Sequence, residues 1–64
     1  MPISIKAARV NVGLTQREVA KALGKSKNTI VSYESYTTNP DIQTAQAMAR
    51  LFNKSVDDIR WAKE

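Results

Sequence analysis

Cysteine and histidine are both absent from this chain of 64 residues. Their absence removes disulfide staples, thiolate zinc sites and any Cys/His or Ser/His catalytic pair. A domain near the lower size limit for an unaided core, with no staple, suits a reducing cytoplasm. Long apolar runs are missing too: nothing approaches the length of a membrane-spanning helix, and the N-terminal MPISIKAARV does not read as a signal peptide. Glycine and proline number two each and act as punctuation, not as a hinge, so a single domain over residues 1–64 is expected. No cofactor motif is present, and no small-molecule ligand is implied.

What is there is positive charge, unevenly spread. The net charge is +4, with Lys6, Arg9, Arg17, Lys21, Lys25 and Lys27 opposed in the first thirty positions by Glu18 alone. Beyond residue 30, Arg50, Lys54, Arg60 and Lys63 are outweighed by Glu34, Asp41, Asp57, Asp58 and Glu64. A basic half joined to a nearly neutral half points to a polyanion on one side, against the plainer reading of a solubilising lysine surface.

The clearest helix start is LTQREV, residues 14–19. Thr15 and Glu18 make a capping box, each satisfying an orphan amide of the first turn, and Leu14 with Val19 forms the matching hydrophobic staple. Val19, Ala20 and Leu23 share a face, and Gly24 falls where a left-handed helix-ending residue is wanted. The next stretch, KSKNTIVSYES (residues 25–35), alternates like a half-buried strand when read as V-S-Y-E-S-Y. Ser26, however, is a natural N-cap. Ile30, Tyr33 and Glu34 then fall on one side at helical spacing, with Lys27, Asn28, Val31, Ser32 and Ser35 on or toward the other. The strand reading ignores the cap and the preceding helix stop, so a helix is expected. Two short helices around a turn containing Gly have the form of a helix-turn-helix.

Ile5, Ala8 and Val12 mark a first helix closed by Gly13. After the loop SYTTNP, Asp41 caps a fourth with the stripe Ile42, Ala45, Met48, Ala49 and Phe52, and Asn53 at its left-handed end. Ser55 with Asp58 opens a short fifth bearing Val56 and Ile59. The expected fold is an all-α bundle of five short helices, about 4–11, 15–23, 26–35, 41–52 and 55–61, with no sheet.

The run L-T-Q-R-E-V-A-K-A-L-G-K-S-K-N-T-I-V-S-Y-E, with Pro40 six residues on, resembles the phage repressor and Cro family of XRE-like helix-turn-helix DNA-binding domains. A-x-x-F-N-K-S-V-D-D-I, residues 49–59, looks like the end of the same domain, and the likeness runs without a gap from about Ser4 to Ile59. The resemblance implies a lambda-repressor-like fold and a homodimer gripping two half-sites of double-stranded DNA. In that family the second helix of the motif lies in the major groove and the first crosses the backbone.

Carried onto this sequence, helix 26–35 becomes the recognition helix, with Ser26, Lys27, Asn28, Val31 and Ser32 toward base edges. Gln16 sits against a phosphate, and Lys25, Thr29, Ser35, Tyr36, Thr37, Thr38 and Asn39 lie along the DNA backbone. The family's ion pair maps onto Arg9 and Glu34, and Val56, Ile59 and Trp61 are candidates for a dimer interface by analogy. The chemistry of the residues agrees. Asparagine pairs bidentately with adenine, lysine donates to guanine, serine suits either, and the methyls of Val31 and Thr29 suit thymine.

Each residue also has a plainer role. Lys27 and Asn28 alone would read as a solvated first turn, Ser26 is a cap in any case, and Gln16 suits the first helical position. Ser32 is a poor helix former, which mildly favours function. Trp61 either folds back on Ile59 to close the core or forms part of a dimer seam, with the core the better fit. The sequence also departs from the family. Tyr36 stands where a glycine is usual, and an aromatic is uncomfortable at positive φ. Either the recognition helix runs on by part of a turn, or Tyr36 takes another conformation and packs against a sugar-phosphate. The Thr37–Asn39 loop lacks the cations many relatives carry, which implies a shallow salt dependence.

The leading expectation is thus a sequence-specific transcriptional regulator of phage or mobile-element type, repressing by promoter occlusion. The competing one is a protein-interaction module, antitoxin-like, on the same scaffold. An enzyme is disfavoured. Asp57 and Asp58 suggest a metal pair, but adjacent helical residues point apart and no further ligands converge.

Overall fold

Ser4, Thr15, Ser26 and Asp41 each accept a hydrogen bond from the backbone N–H three residues on, at 3.0, 3.1, 3.2 and 2.8 Å. These caps start the four α-helices of the computed structural model, which describes residues 1–63. The helices are α1 (Ile5–Asn11), α2 (Gln16–Leu23), α3 (Lys27–Glu34) and α4 (Ile42–Leu51). At Thr15 the capping box closes fully, with the Thr15 N–H donating to Glu18 Oε1 at 2.9 Å.

The helix ends match one another as well. The residue after each helix donates back in a paired pattern around a left-handed residue: Gly13 (φ 75), Gly24 (φ 68), Tyr36 (φ 61) and Asn53 (φ 60). At Gly24 the bonds are Gly24 N to Lys21 O at 3.2 Å and Lys25 N to Ala20 O at 2.8 Å. That pairing is a Schellman motif, which satisfies carbonyls the helix leaves open. Tyr36 repeats it, donating to Tyr33 O at 3.1 Å while Thr37 N donates to Ser32 O at 3.0 Å. The chain therefore ends α3 on schedule and accepts an aromatic residue in a conformation that costs about 1–2 kcal/mol.

The expected fifth helix is corrected. Val56–Asp58 form a single 3₁₀ turn, and Ile59–Arg60 run on as a two-residue strand, β2. It pairs in parallel with β1 (Ile3–Ser4), in the register Ile3 with Ile59 and Ser4 with Arg60. The fold is therefore mostly helical with a small two-stranded sheet, not all-α. Ser55 makes no cap to the backbone; its hydroxyl donates to Asp58 Oδ2 instead. The β-branched Val56 and Ile59 and two aspartates make a weak helix, and extending the chain buries Ile59 against the core while pairing its backbone.

That core joins Ile5 and Ala8 of α1, Val19 and Ala20 of α2, Ile30 and Tyr33 of α3, Met48 and Ala49 of α4, Phe52 and Ile59. Leu14 and Leu23 pack against it from the ends of α2. Two residues expected inside lie outside. Val12 follows the end of α1 and is 39% exposed, and Ile42, in the first turn of α4 at the edge of its stripe, is 77% exposed. Among the described residues no helix is long and apolar enough to cross a membrane.

The caps carry a pH dependence. Hydrogen bonds from the Thr15 backbone and hydroxyl hold the Glu18 carboxyl below its ordinary 4.5, and those from Thr44 hold Asp41 below 3.8. Both depressions favour the ionised, folded form, so this stability is complete above the ordinary values and lost as pH falls through the lowered ones. Glu18→Gln and Asp41→Asn both keep a capping side chain. Together they should flatten the acid limb of a plot of melting temperature against pH, leaving the neutral plateau nearly unchanged.

Candidate nucleic-acid interface

Ile30 is fully buried and Tyr33 nearly so, and these two anchors fix which way α3 faces. With them inward, Lys27, Asn28, Val31 and Ser35 are exposed on the opposite side and Ser32 and Thr29 are half-buried. Ser26 remains a working cap: its hydroxyl accepts from Thr29 N and shares a 2.9 Å hydrogen bond with the Thr29 hydroxyl. The Gly24 turn leads from α2 into α3, whose first residue, Lys27, shares a depression with the start of α2. Thr15, Gln16, Arg17 and Lys27 line this depression of about 320 Å³. Arg17 was not among the residues expected at this surface. The only hint in the sequence was its place in the basic half beside Gln16.

Beneath this surface lies the ion pair. Arg9 Nε donates to Glu34 Oε2 at 2.6 Å and Nη2 to Oε1 at 3.3 Å, while Nη1 donates to the Leu14 carbonyl at 2.7 Å. The two side chains are 10% and 6% exposed. Arg9 sits at the end of α1, where a cation suits the helix dipole; Glu34 sits at the end of α3, where an anion does not. Arg9 offsets that misplacement. A third partner was not anticipated: Gln16 Nε2 donates to Glu34 Oε1 at 3.0 Å. Gln16 therefore does not project freely from α2, and its carboxamide is tied to the ion pair.

Past α3, the Ser35 hydroxyl donates to Ser32 O at 3.2 Å and shares a 2.9 Å bond with the Thr37 hydroxyl. Thr37, Thr38 and Asn39 are exposed, as is Lys25 before α3. Tyr36 turns the other way. Its ring packs on the core, and its hydroxyl donates to Arg60 O at 2.9 Å and accepts from Ile5 N at 3.4 Å. The expectation of Tyr36 against a sugar-phosphate gives way to a tie from the loop after α3 to β2 and the first residue of α1.

The C-terminal candidates separate. Ile59 is 3% exposed and unavailable to a partner, while Val56 is 37% exposed. Trp61 packs against the core from outside, its Nε1 donating to Val56 O at 2.9 Å. Pro40, Ile42, Ala45, Gln46, Val56 and Trp61 line a second depression, largely apolar, of about 310 Å³.

The arrangement of two short helices about a left-handed glycine, the second presenting a polar face, is matched by a helix-turn-helix family profile over residues 5–59. The chain belongs to the helix-turn-helix family. Its members are DNA-binding regulators, not enzymes. Among similar proteins is an uncharacterized HTH-type transcriptional regulator of Archaeoglobus fulgidus, 37% identical over 59 residues, covering 92% of this chain and 84% of the relative. The cryptic phage CTXphi transcriptional repressor RstR of Vibrio cholerae is 33% identical over 55 residues, 86% of this chain and 50% of the relative. The HTH-type transcriptional regulator ImmR of Bacillus subtilis is 36% identical over 53 residues, covering 83% and 42%. The helix-turn-helix of this chain is thus α2, the Gly24 turn and α3.

Proposed function

We propose that this DNA-binding transcriptional regulator is a repressor of phage or mobile-element type, which binds an inverted-repeat operator as a homodimer with α3 in the major groove. The observation that carries the reading is the exposed side of α3. Lys27, Asn28 and Val31 stand clear of the core beside the N-terminal end of α2. Ser26 and Ser32 flank them toward the base edges. Gln16, Lys25, Thr29, Ser35, Thr37, Thr38 and Asn39 follow the sugar-phosphate strands on either side, the last five through hydroxyls and an amide. The similarity to a phage repressor supports the regulatory sense.

One copy measures 28 Å along its longest axis, and half-sites of an inverted repeat lie about 34 Å apart. Two copies are therefore needed. The largely apolar depression lined by Ile42, Val56 and Trp61 is the surface we assign to joining them. The same depression, beside the uncharged 37–39 loop, also suits a different protein partner, as in an antitoxin-like module.

Selection of binding sites from a random duplex pool, at low and near-physiological salt, separates the two. A repressor enriches a short inverted repeat at both. Binding without enrichment that vanishes as salt rises would leave the partner-protein reading. On the enriched site, Lys27→Ala or Asn28→Ala should each relax preference at one position by about 1–3 kcal/mol. A uniform loss over all sequences would remove them from base reading.

A further inference from the structure

The carboxamide of Gln16 is half-buried, lines the depression between α2 and α3, and donates one N–H to Glu34 Oε1 at 3.0 Å. A carboxylate only accepts, so Glu34 dictates which end of the carboxamide faces it: nitrogen toward Glu34, oxygen away. The same nitrogen carries a second N–H, the group that a phosphate oxygen requires. Without Glu34 the carboxamide is free to flip, and a flipped amide would present oxygen to the phosphate. Glu34 is itself held in place by two hydrogen bonds from Arg9.

We propose that Glu34 is a positioning residue for DNA-backbone binding, acting through Gln16: the buried ion pair orients the Gln16 amide nitrogen for a phosphate at the start of α2. The inference rests on the DNA-binding reading above and deepens it. The ion pair then serves two ends, joining α1 to α3 and setting a donor on the DNA face. Gln16 differs in kind from Arg17 on the same depression. A neutral donor adds affinity without releasing counterions, whereas a cation adds both affinity and salt dependence.

Backbone contacts act on any sequence, so the probe is a mixed-sequence duplex of about 20 base pairs, two helical turns, titrated against the full chain over a range of salt. Gln16→Ala should weaken binding about tenfold, as for one hydrogen bond to a charged group, with an unchanged salt slope. Glu34→Gln should weaken it by a similar factor, and the double variant no further. Equal affinity of Glu34→Gln and the parent, or multiplying losses in the double variant, overturns the proposal while leaving the DNA-binding reading in place.

Arg17→Ala tests that reading separately, since it should lower the salt slope by about 0.9. If Glu34→Gln does not fold, the unmodified protein still decides the matter by NMR of the Gln16 side-chain amide. One Nε2 proton shifted from its free-glutamine position and protected from solvent exchange, with the other shifting on adding duplex, supports the proposal. Both protons at free-glutamine positions and exchanging freely with solvent overturn it.

Discussion

Replacing Arg9 with alanine is expected to remove about 3–5 kcal/mol of stability, because it leaves the Glu34 carboxylate buried with its charge uncompensated. Three hydrogen bonds go with it, two to Glu34 and one to the Leu14 carbonyl. Gln16 remains, but a neutral amide does not offset a charge already placed against the dipole of α3. A domain of this length has a total stability of roughly 3–10 kcal/mol at typical values per residue. Urea denaturation of Arg9→Ala at 25 °C should therefore show a loss of from roughly a third to all of that stability.

The double variant Arg9→Met, Glu34→Leu supplies the contrast. With both charges gone and the volume roughly kept, stability should return to near the parent value or exceed it. Stability losses that simply add in the double variant would mean that burial of the pair is not what makes Arg9 important. The double variant also separates the two uses of the pair. It should fold, yet lack the carboxylate that orients Gln16, and so bind duplex DNA less tightly than the parent.

The four helix starts, and the ends at Gly13, Gly24 and Asn53, were readable for a local reason. A cap is a short-range interaction between a side chain and an amide three residues away, so the identities of Ser4, Thr15, Ser26 and Asp41 carry it. The exposed face of α3 followed from the same frame: once Ile30 and Tyr33 were inward, Lys27, Asn28 and Val31 had to be outward. Spacing alone misjudged Val12 and Ile42, because a residue at the edge of a stripe or past a helix end has the period of a core position without a neighbour to cover it. Gln16 was expected against a phosphate, and its bond to Glu34 was not legible, since nothing local reports a contact eighteen positions away.

The C-terminal segment shows where a local signal loses. Ser55 and Asp58 have capping-box spacing, yet they bond to each other while the chain goes on to pair with β1. The competing structure joins residues more than fifty positions apart, and only the packed fold makes it available. A helix of about six residues is worth too little to resist it. The same long-range pairing draws Ile59 inside and leaves Val56 and Trp61 to shape the apolar depression with Ile42.

Tyr36 ties these observations together and carries the second large effect. Truncation to alanine should cost about 3 kcal/mol, the lower end for loss of an aromatic ring, since Tyr36 is only half-buried. The loss combines ring packing on the core with the hydrogen bonds to Arg60 O and from Ile5 N. Tyr36→Phe isolates the hydroxyl and should cost about 1–2 kcal/mol, the loss of its hydrogen bonds to Arg60 O and from Ile5 N.

Tyr36→Gly is the discriminating variant. In most helix and strand positions glycine is the less stable choice, but at φ 61 it removes left-handed strain that alanine keeps. Glycine should therefore be more stable than alanine here by about 1 kcal/mol, and still less stable than tyrosine, whose ring and hydroxyl more than offset the strain. Hydrogen exchange gives an independent check. In all three variants the amides of Ile3–Ile5 and Ile59–Arg60 should lose protection more than those of α2, because the tie that fails joins β2 and the start of α1 to the end of α3. Alanine more stable than glycine, or a loss of protection spread evenly over the helices, would show that Tyr36 is not the link between the chain's ends and α3.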